Sequence, residues 1–137
     1  MSIASPRARI LVVDDEPDVS DLFRQQFRRD LRAGRFAIGF ARSASEALEK
    51  ISVLEESSLV MVCSDINMPG MTGLELLPKV KAIRPNVPVL MITAYSDEDT
   101  RRKALEGGAA GLMAKPVDFV ALRLEIDKHL DQRGLGV

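Results

Sequence analysis

Five short apolar runs alternate along the chain with segments of helical periodicity, and this alternation restricts the fold more than any other feature. We assign strands to residues 9–13, 36–41, 59–64, 87–93 and 111–114. The third run is apolar almost throughout, which is typical of a strand that is covered on both faces. Strands that alternate with helices favour a parallel sheet with helices on both of its faces.

Five helices are predicted between and after these strands. The first covers residues 18–31, where Val19, Leu22, Phe23 and Phe27 form one apolar face. The third covers residues 73–83 and contains Pro78, which lacks a backbone donor and predicts a kink or a later start. The residues of this helix that are expected to face the core are Leu74, Leu77, Val80 and Ile83.

Polar residues and glycines mark the ends of the other helices. Ser43 and Glu46 have the spacing of a capping box, so the second helix is expected to begin there. Ser96 and Asp118 are expected to cap the fourth and fifth helices, and Gly107 is a natural stop for the fourth. The fifth helix is expected to bury four residues: Phe119, Leu122, Ile126 and Leu130.

These elements predict a doubly wound, flavodoxin-like α/β domain. Its five parallel strands are expected in the order 2-1-3-4-5, with right-handed crossovers. We expect the domain to span residues 9–131, between an N-terminal tail at 1–8 and a C-terminal tail at 132–137, and we expect no second domain.

The composition excludes several classes of protein. The net charge is −1, so there is no overall basic surface for nucleic acid. The only cysteine, Cys63, lies in a predicted strand, which fits a reducing compartment and a role as a small core residue. No apolar run approaches the roughly 18–20 residues of a membrane span, and the N-terminus lacks a signal-peptide core. We therefore expect a cytoplasmic protein.

Chemically distinctive residues follow four of the strands: Asp14 and Asp15, Asp65, Thr93 and Lys115. The carboxyl ends of parallel strands share one edge of a sheet, where ligands bind. Three carboxylates brought together there repel each other unless a cation lies among them, and Mg²⁺ prefers oxygen ligands. The set indicates metal-assisted phosphoryl transfer with Asp65 as the acceptor.

Taken singly, each of these residues also has an ordinary interpretation. The aspartate pair can form a solvated turn, Thr93 is a common β-branched strand residue, and Lys115 can be a surface lysine. The loop after Asp65 is more specific, because Pro69, Gly70 and Gly73 allow a backbone to approach a metal or phosphoryl group closely. The isomer of the bond between Lys115 and Pro116 is left open.

Four motifs carry a resemblance to a known family: Val12-Val13-Asp14-Asp15-Glu16, Asp65-Ile66-Asn67-Met68-Pro69 with Gly73, Thr93-Ala94-Tyr95, and Lys115-Pro116. On these residues the chain resembles the receiver domain of two-component response regulators, including the chemotaxis regulators, over nearly its whole length. The resemblance implies that a receiver module catalyses only its own phosphorylation and dephosphorylation.

The resemblance also implies a role for each site residue. Asp65 would take a phosphoryl group from a histidine kinase or a histidine phosphotransfer protein. Asp15 and Asp65 would bind Mg²⁺ directly, Asp14 through water, and Asn67 through its backbone carbonyl. Lys115 and Thr93 would contact the phosphoryl oxygens.

A conformational switch is part of the same expectation. Tyr95 would rotate inward as Thr93 moves, which would reshape the face formed by the fourth helix, the fifth strand and the fifth helix for output. Leu112 stands where the family often has an aromatic residue, so it offers Tyr95 no ring partner.

Output and assembly are left open by the sequence. The output partner is either a separate protein or an effector domain outside this chain, and a homodimer is not excluded. The residues argue against two other functions. An aspartyl phosphohydrolase would need a cap region and a second carboxylate two residues after the nucleophile, where this chain has Asn67. A binding module without phosphorylation would not need the complete set of acidic and polar site residues.

Overall fold

The five predicted strands form one parallel sheet. A computed structural model of the chain describes residues 8–55, 58–95 and 97–134. The strands are β1 (Arg9–Val13), β2 (Ala37–Ala41), β3 (Leu59–Asp65), β4 (Val89–Thr93) and β5 (Gly111–Ala114). Their order is β2-β1-β3-β4-β5. The predicted fold class and strand order are therefore confirmed.

The described part of the chain contains six helices, where the sequence predicted five. They are α1 (Asp18–Gln26), α2 (Arg28–Arg32), α3 (Ala44–Val53), α4 (Gly73–Ile83), α5 (Glu98–Glu106) and α6 (Phe119–Gln132). Between these bounds no helix is long and apolar enough to cross a membrane.

The additional helix arises because the first predicted helix is interrupted at Phe27. The backbone there has φ −107° and ψ 18°, outside the helical region. The Phe27 N–H still donates to the Phe23 carbonyl at 3.0 Å, and the Phe27 carbonyl accepts from Leu31 N–H at 2.9 Å. The Gln26 carbonyl instead accepts from the Arg123 guanidinium of α6 at 3.1 Å. A tertiary contact with α6 thus accompanies the break.

Side-chain caps fix the starts of four helices. Ser43 accepts from Glu46 N–H at 3.1 Å, and Asp118 accepts from Val120 N–H at 3.0 Å, as predicted. The cap of α5 is Asp97, not Ser96, and Ser96 itself lies outside the described residues. Thr72 caps α4 in a reciprocal box that the sequence reading missed.

Helix α4 begins at Gly73 and continues past Pro78, so the helix does not start later than Gly73, and a kink at Pro78 stays a prediction. Its buried apolar side chains are Leu76, Leu77 and Val80. Leu74 is only partly buried and Ile83 is 39% exposed, which corrects the predicted core face. Three of the four positions 74–77 are leucines, the exception being Glu75, so periodicity alone did not fix which leucines face the core.

Two hydrophobic cores cover the two faces of the sheet. Alternate strand residues supply them: Leu11 and Val62 belong to the core under α3 and α4, whereas Ile10 and Cys63 belong to the core under α1 and α6. The second core includes edge-to-face aromatic contacts, such as that between Phe23 and Phe119 with ring centroids 5.2 Å apart. Burial raises the pKa of the Cys63 thiol to about 12, in keeping with a core role.

A buried carboxylate ties α2 to α6. Asp30 is 8% exposed and accepts from the Arg123 guanidinium at 3.0 Å. It also accepts from Arg35, which bonds Asp127 of α6 as well. Arg123 also lies over the Phe27 ring, 5.1 Å from the ring centroid. Two other arginines lie over phenylalanine rings at 4.7 and 5.9 Å. This network holds α6 against the broken first helix.

Candidate functional site

The carboxyl ends of four neighbouring strands meet at one edge of the sheet. Asp65 is the last residue of β3 and Thr93 the last of β4, while Asp14 and Lys115 directly follow β1 and β5. The parallel register pairs Val13 with Ser64, Asp65 with Ile92, and Thr93 with Ala114. This register brings together residues that are up to 101 positions apart in the sequence.

Three carboxylates lie close together at this edge. Asp14, Asp15 and Asp65 each offer an oxygen, and these oxygens all lie within 4.8 Å of one another. Asp14 is 8% exposed and Asp65 is 5% exposed, so water screens their repulsion poorly. All the donors are carboxylate oxygens, which are the ligands that a hard divalent cation such as Mg²⁺ prefers. The residues therefore fit such a cation.

Lys115 is the cation of this cluster. Its Nζ lies 3.3 Å from Asp14 Oδ2 and 3.4 Å from Asp65 Oδ2. Glu16 Oε1 is also within 3.9 Å of the same nitrogen. Burial by itself would lower the pKa of Lys115, but the facing carboxylates of Asp14 and Asp65 outweigh it and the pKa is raised. Lys115 therefore stays charged.

The electrostatics of Asp65 differ from those of an exposed carboxylate. Burial, and then the nearby Asp14 carboxylate, raise the pKa of Asp65. Lys115 and a hydrogen bond from the Asn67 backbone act in the opposite direction but do not cancel the shift. Burial and, after it, the neighbouring Asp14 charge thus make ionised Asp65 costly in the metal-free protein, and a cation bound here would relieve that cost.

The loop after Asp65 is held tightly beneath the site. Ile66 N–H donates to the Ile92 carbonyl at 3.0 Å, and Gly73 N–H donates to the Ile66 carbonyl at 2.8 Å. A Cβ atom at Gly73 would lie 2.3 Å from the Asp65 carbonyl oxygen, so no side chain fits there. Gly70 has φ +77°, which favours glycine. Asn67, which precedes both glycines, is exposed.

Thr93 is connected to Tyr95 through the backbone. Its side chain is fully buried, and Oγ1 accepts from Tyr95 N–H at 3.0 Å and donates to the Tyr95 carbonyl at 3.4 Å. The Tyr95 residue is 68% exposed. Lys115 N–H donates to the Thr93 carbonyl at 2.8 Å, which joins the two strand ends. The bond between Lys115 and Pro116 is cis.

The structure thus brings five of the predicted site residues to one edge of the sheet: Asp14, Asp15, Asp65, Thr93 and Lys115. It adds Glu16, which was quoted only as part of an acidic motif. The Glu16 N–H donates to Asp14 Oδ1 at 2.9 Å, which orients that carboxylate. In the sequence Glu16 is adjacent to the aspartate pair, but this adjacency alone does not predict a role for Glu16.

A doubly wound parallel sheet with clustered carboxylates and a lysine at its carboxyl edge belongs to the class of α/β domains that bind ligands at that edge. Comparison with known proteins narrows the class. The family model for the response regulator receiver domain matches residues 10–127. The chain belongs to this family.

Its relatives include longer regulators. The chain is 39% identical over 121 residues to the transcriptional regulatory protein ZraR of Klebsiella oxytoca. This alignment covers 88% of the chain and 26% of ZraR. It is 35% identical over 117 residues to the response regulator protein PilR of Pseudomonas aeruginosa, which covers 85% of this chain and 25% of PilR. The chain therefore spans about a quarter of the length of these curated relatives.

Solved receiver structures share the fold. One from Methanospirillum hungatei, described as CheY-like, has a TM-score of 0.81 and 30% identity, with 93% of this chain and 96% of that one covered. The response regulator TrrA of Thermotoga maritima, solved in a complex with Mg²⁺ and BeF, has a TM-score of 0.75 and 28% identity, with 90% and 99% covered.

Membership of the family establishes several general properties. Receiver domains accept a phosphoryl group, bind Mg²⁺ in their acidic pocket and interact with histidine kinases. The family is generally non-enzymatic. One relative, at 32% identity, is a cyclic di-GMP phosphodiesterase from Thermotoga maritima, but the match covers only 31% of that protein.

The first prediction concerns Gly73. Gly73→Ala should lower the free energy of unfolding by about 1–3 kcal/mol, because the added methyl group would overlap the backbone of Asp65 and Ile66. Urea unfolding measures this change. Gly39→Ala is the matched control, since its Cβ would meet only Leu11 at 3.6 Å, and it should change stability by no more than about 0.5 kcal/mol. Equal losses in both variants would contradict the close approach.

A second prediction follows from the raised pKa of Asp65. In the metal-free protein the folded state holds the Asp65 proton more tightly than the unfolded state does. That stabilisation is complete below the ordinary carboxyl pKa of about 4 and is lost as the pH rises through the raised value. Asp65→Asn cannot ionise, so it should be more stable than the parent at pH 7 in EDTA, and the difference should shrink toward acid pH.

Urea unfolding from neutral to acid pH tests this second prediction. Asp131→Asn, at an exposed site on α6, is the control and should follow the parent curve to within about 0.5 kcal/mol at each pH. A parent that is as stable as Asp65→Asn at pH 7 would show that Asp65 carries no electrostatic penalty.

Proposed function

We propose that this chain is a phospho-accepting receiver in which Asp65 takes a phosphoryl group from a histidine kinase or a histidine phosphotransfer protein. The observation that carries the proposal is the position of the Asp65 carboxylate, which is buried, lies beside Asp14 and Asp15, and is 3.4 Å from the Lys115 ammonium. We assign residues 9–131 to the receiver domain.

The same proposal assigns the metal ligands. Asp15 and Asp65 would bind Mg²⁺ directly, Asp14 would act through a bound water, and Asn67 would contribute its backbone carbonyl. The oxygen-only donor set and the raised pKa of Asp65 support this assignment. When bound, the cation neutralises charge on the transferred phosphoryl oxygens.

The chemical step uses few protein groups. An Asp65 carboxylate oxygen attacks the phosphorus of a phosphohistidine, and an acyl phosphate forms. The phosphorus–nitrogen bond breaks, and the imidazole leaves with the electron pair and takes up a proton. Lys115 is already placed beside Asp65 and would pair with one phosphoryl oxygen, while Thr93 would donate to another.

The Thr93 hydroxyl supplies the link to output. A hydroxyl has one proton, and Thr93 now directs it to the Tyr95 carbonyl at 3.4 Å, a long hydrogen bond. Donation to a phosphoryl oxygen would end that contact and free the backbone of Tyr95 to move. We propose that the Tyr95 side chain then turns inward and reshapes the face formed by α5, β5 and α6, where Val120 and Leu124 are exposed.

The partners belong to the proposal as well. The donor is a histidine kinase or phosphotransfer protein, and the output partner is a separate protein or an effector domain elsewhere in a longer chain. We expect no direct nucleic acid binding by this chain, whose net charge is −1, and no membrane association. A cytoplasmic location fits the lone, buried Cys63. A homodimer through α5 and α6 is left open.

An aspartyl phosphohydrolase is the weaker candidate. Such an enzyme needs an acid or base placed to finish the hydrolysis, and the residue two positions after Asp65 is Asn67. The asparagine amide does not titrate, so hydrolysis of added phosphate esters is not expected.

The third prediction tests the acceptor directly. Incubation with acetyl phosphate and Mg²⁺ should add one phosphoryl group to the parent protein, as measured by intact mass. The adduct should be absent in Asp65→Asn and in the presence of EDTA, and hydroxylamine should remove it because it is an acyl phosphate. Asp131→Asn serves as the matched control and should be modified like the parent.

Rapid loss of the phosphoryl group would also give an unmodified mass, so beryllofluoride binding is measured in parallel. A folded parent that neither gains mass nor binds beryllofluoride would overturn the proposed function. Phosphorylation of the Asp65→Asn variant would show that the acceptor is another residue.

The fourth prediction concerns the switch. Tyr95 is the only tyrosine and the chain has no tryptophan, so tyrosine fluorescence reports on Tyr95 alone. Beryllofluoride with Mg²⁺ should change this fluorescence in the parent. Thr93→Ala should still bind beryllofluoride, as seen by fluorine NMR, yet lose most of the change, whereas Ser52→Ala on α3 should keep it. An undiminished fluorescence change in Thr93→Ala would show that Tyr95 responds independently of Thr93.

A further inference from the structure

Helix α2 carries an exposed basic surface that the proposed function does not use. Arg28, Arg29 and Arg32 are three of its five residues, and all three are exposed. Successive residues of an α-helix are about 100° apart around its axis, so these three positions fall within an arc of about 100°. We call these three residues the α2 basic patch. Because α2 leads into the amino end of β2, the patch lies away from the carboxyl edge of the sheet and from Asp65.

No carboxylate of the described residues neutralises this patch. None lies within 4.0 Å of a guanidinium nitrogen of the patch. Asp30 is the only acidic residue of α2, but it is 8% exposed and pairs with Arg35 and Arg123. Together with Asp127, these residues supply two carboxylates and two guanidinium groups, so the ion pairs are neutral as a group. The fold thus buries the one negative charge of α2 and leaves three positive charges at the surface.

Contacts with α6 fix the position of the patch. The Arg123 guanidinium donates to the Gln26 carbonyl at 3.1 Å and to Asp30 Oδ2 at 3.0 Å, on either side of the fully buried Phe27. These contacts accompany the break at Phe27, which makes α2 a separate helix. A surface that is ordered before it binds loses less conformational entropy when a partner arrives.

We propose that the α2 basic patch binds an acidic helix of a protein partner, in which carboxylates recur every three or four residues. Arg28 and Arg32 are four residues apart, and Arg29 and Arg32 are three apart, so carboxylates at the same spacings match them. A guanidinium group binds a carboxylate through two parallel N–H···O hydrogen bonds, which favours arginine in this role.

The size and setting of the patch favour a protein partner over nucleic acid. The patch offers three arginines along about 7 Å of helix axis, whereas proteins that bind duplex DNA commonly contact about six to ten phosphates. The net charge of the chain is −1, so the surface around the patch adds no overall attraction for a polyanion. The competing explanation is that these arginines form only a solvated surface.

Fluorescence anisotropy of labelled peptides tests this proposal with the full chain in EDTA at low ionic strength. The probe is a helix-forming peptide whose glutamates are spaced alternately three and four residues apart, so that they share one face. A second peptide has the same composition but glutamates five residues apart, which distributes them around the helix. A third has glutamine in place of glutamate. We expect saturable binding of the first peptide, binding at least about threefold weaker for the second, and none for the third.

A triple variant locates the binding on the protein. Arg28→Gln, Arg29→Gln and Arg32→Gln together should weaken binding of the first peptide about tenfold or more. Added salt should weaken the parent complex as well, because the attracting charges are exposed.

The matched control removes the same charge from α5. Arg101→Gln, Arg102→Gln and Lys103→Gln together lie on an exposed surface of that helix and should leave the affinity within about twofold of the parent value. Circular dichroism checks that both triple variants are folded.

Four results would overturn the proposal: no saturable binding of the first peptide, equal binding of the second, equal losses in the two triple variants, or tighter binding of a short DNA duplex than of the first peptide. The first result would leave the patch as a solvated surface, and the last would assign it to nucleic acid.

Discussion

The repulsion between buried carboxylates at the carboxyl edge of the sheet is the interaction on which the rest of this structure depends. Asp14 and Asp65 are nearly inaccessible to water, and Lys115 is the cation that lies within 4 Å of both. Charge inside a poorly screened cluster acts strongly at short range. Anything that changes the balance, such as a divalent cation or a phosphoryl group, therefore has a large local effect, which is what a switch requires.

The scaffold holds these carboxylates close together despite their repulsion. Two hydrophobic cores fix the sheet from both sides, and the tight approach of Gly73 to Asp65 fixes the loop beneath the acceptor. A close-packed interior does not deform continuously. The response is therefore expected at the less constrained strand end, where Thr93 contacts the backbone of exposed Tyr95.

The sheet also separates two electrostatic environments. The carboxyl edge gathers aspartates around Lys115, whereas at the amino edge the Arg84 guanidinium donates to the backbone carbonyls of Ile51 and Leu54. Parallel strands produce this separation, because all their carboxyl ends lie on one side. The ion-pair network of Asp30, Arg35 and Arg123 lies apart from Asp65 along the chain and joins α2 to α6.

Much of the fold could be predicted because its signals are local. Each buried strand is a short apolar run, and Ser43 and Asp118 cap helices through contacts within three residues. The errors have tertiary causes. The break at Phe27 accompanies a hydrogen bond from Arg123, which is distant in sequence, and the core face of α4 depends on which leucines meet its neighbours. Asp97 and Ser96 are adjacent candidate caps that local pattern does not separate.

The sequence by itself determined the alternation of strands and helices, the family motifs and the placement of Asp14, Asp65, Thr93 and Lys115 after strands. Those properties depend on residue type and short spacing. Only the tertiary structure decided the 3.4 Å approach of Lys115 to Asp65, the raised pKa of Asp65 and the contacts of Arg84 with the carbonyls at the end of α3. Distances and burial depend on strand register and packing between residues far apart in the chain, which no local pattern encodes.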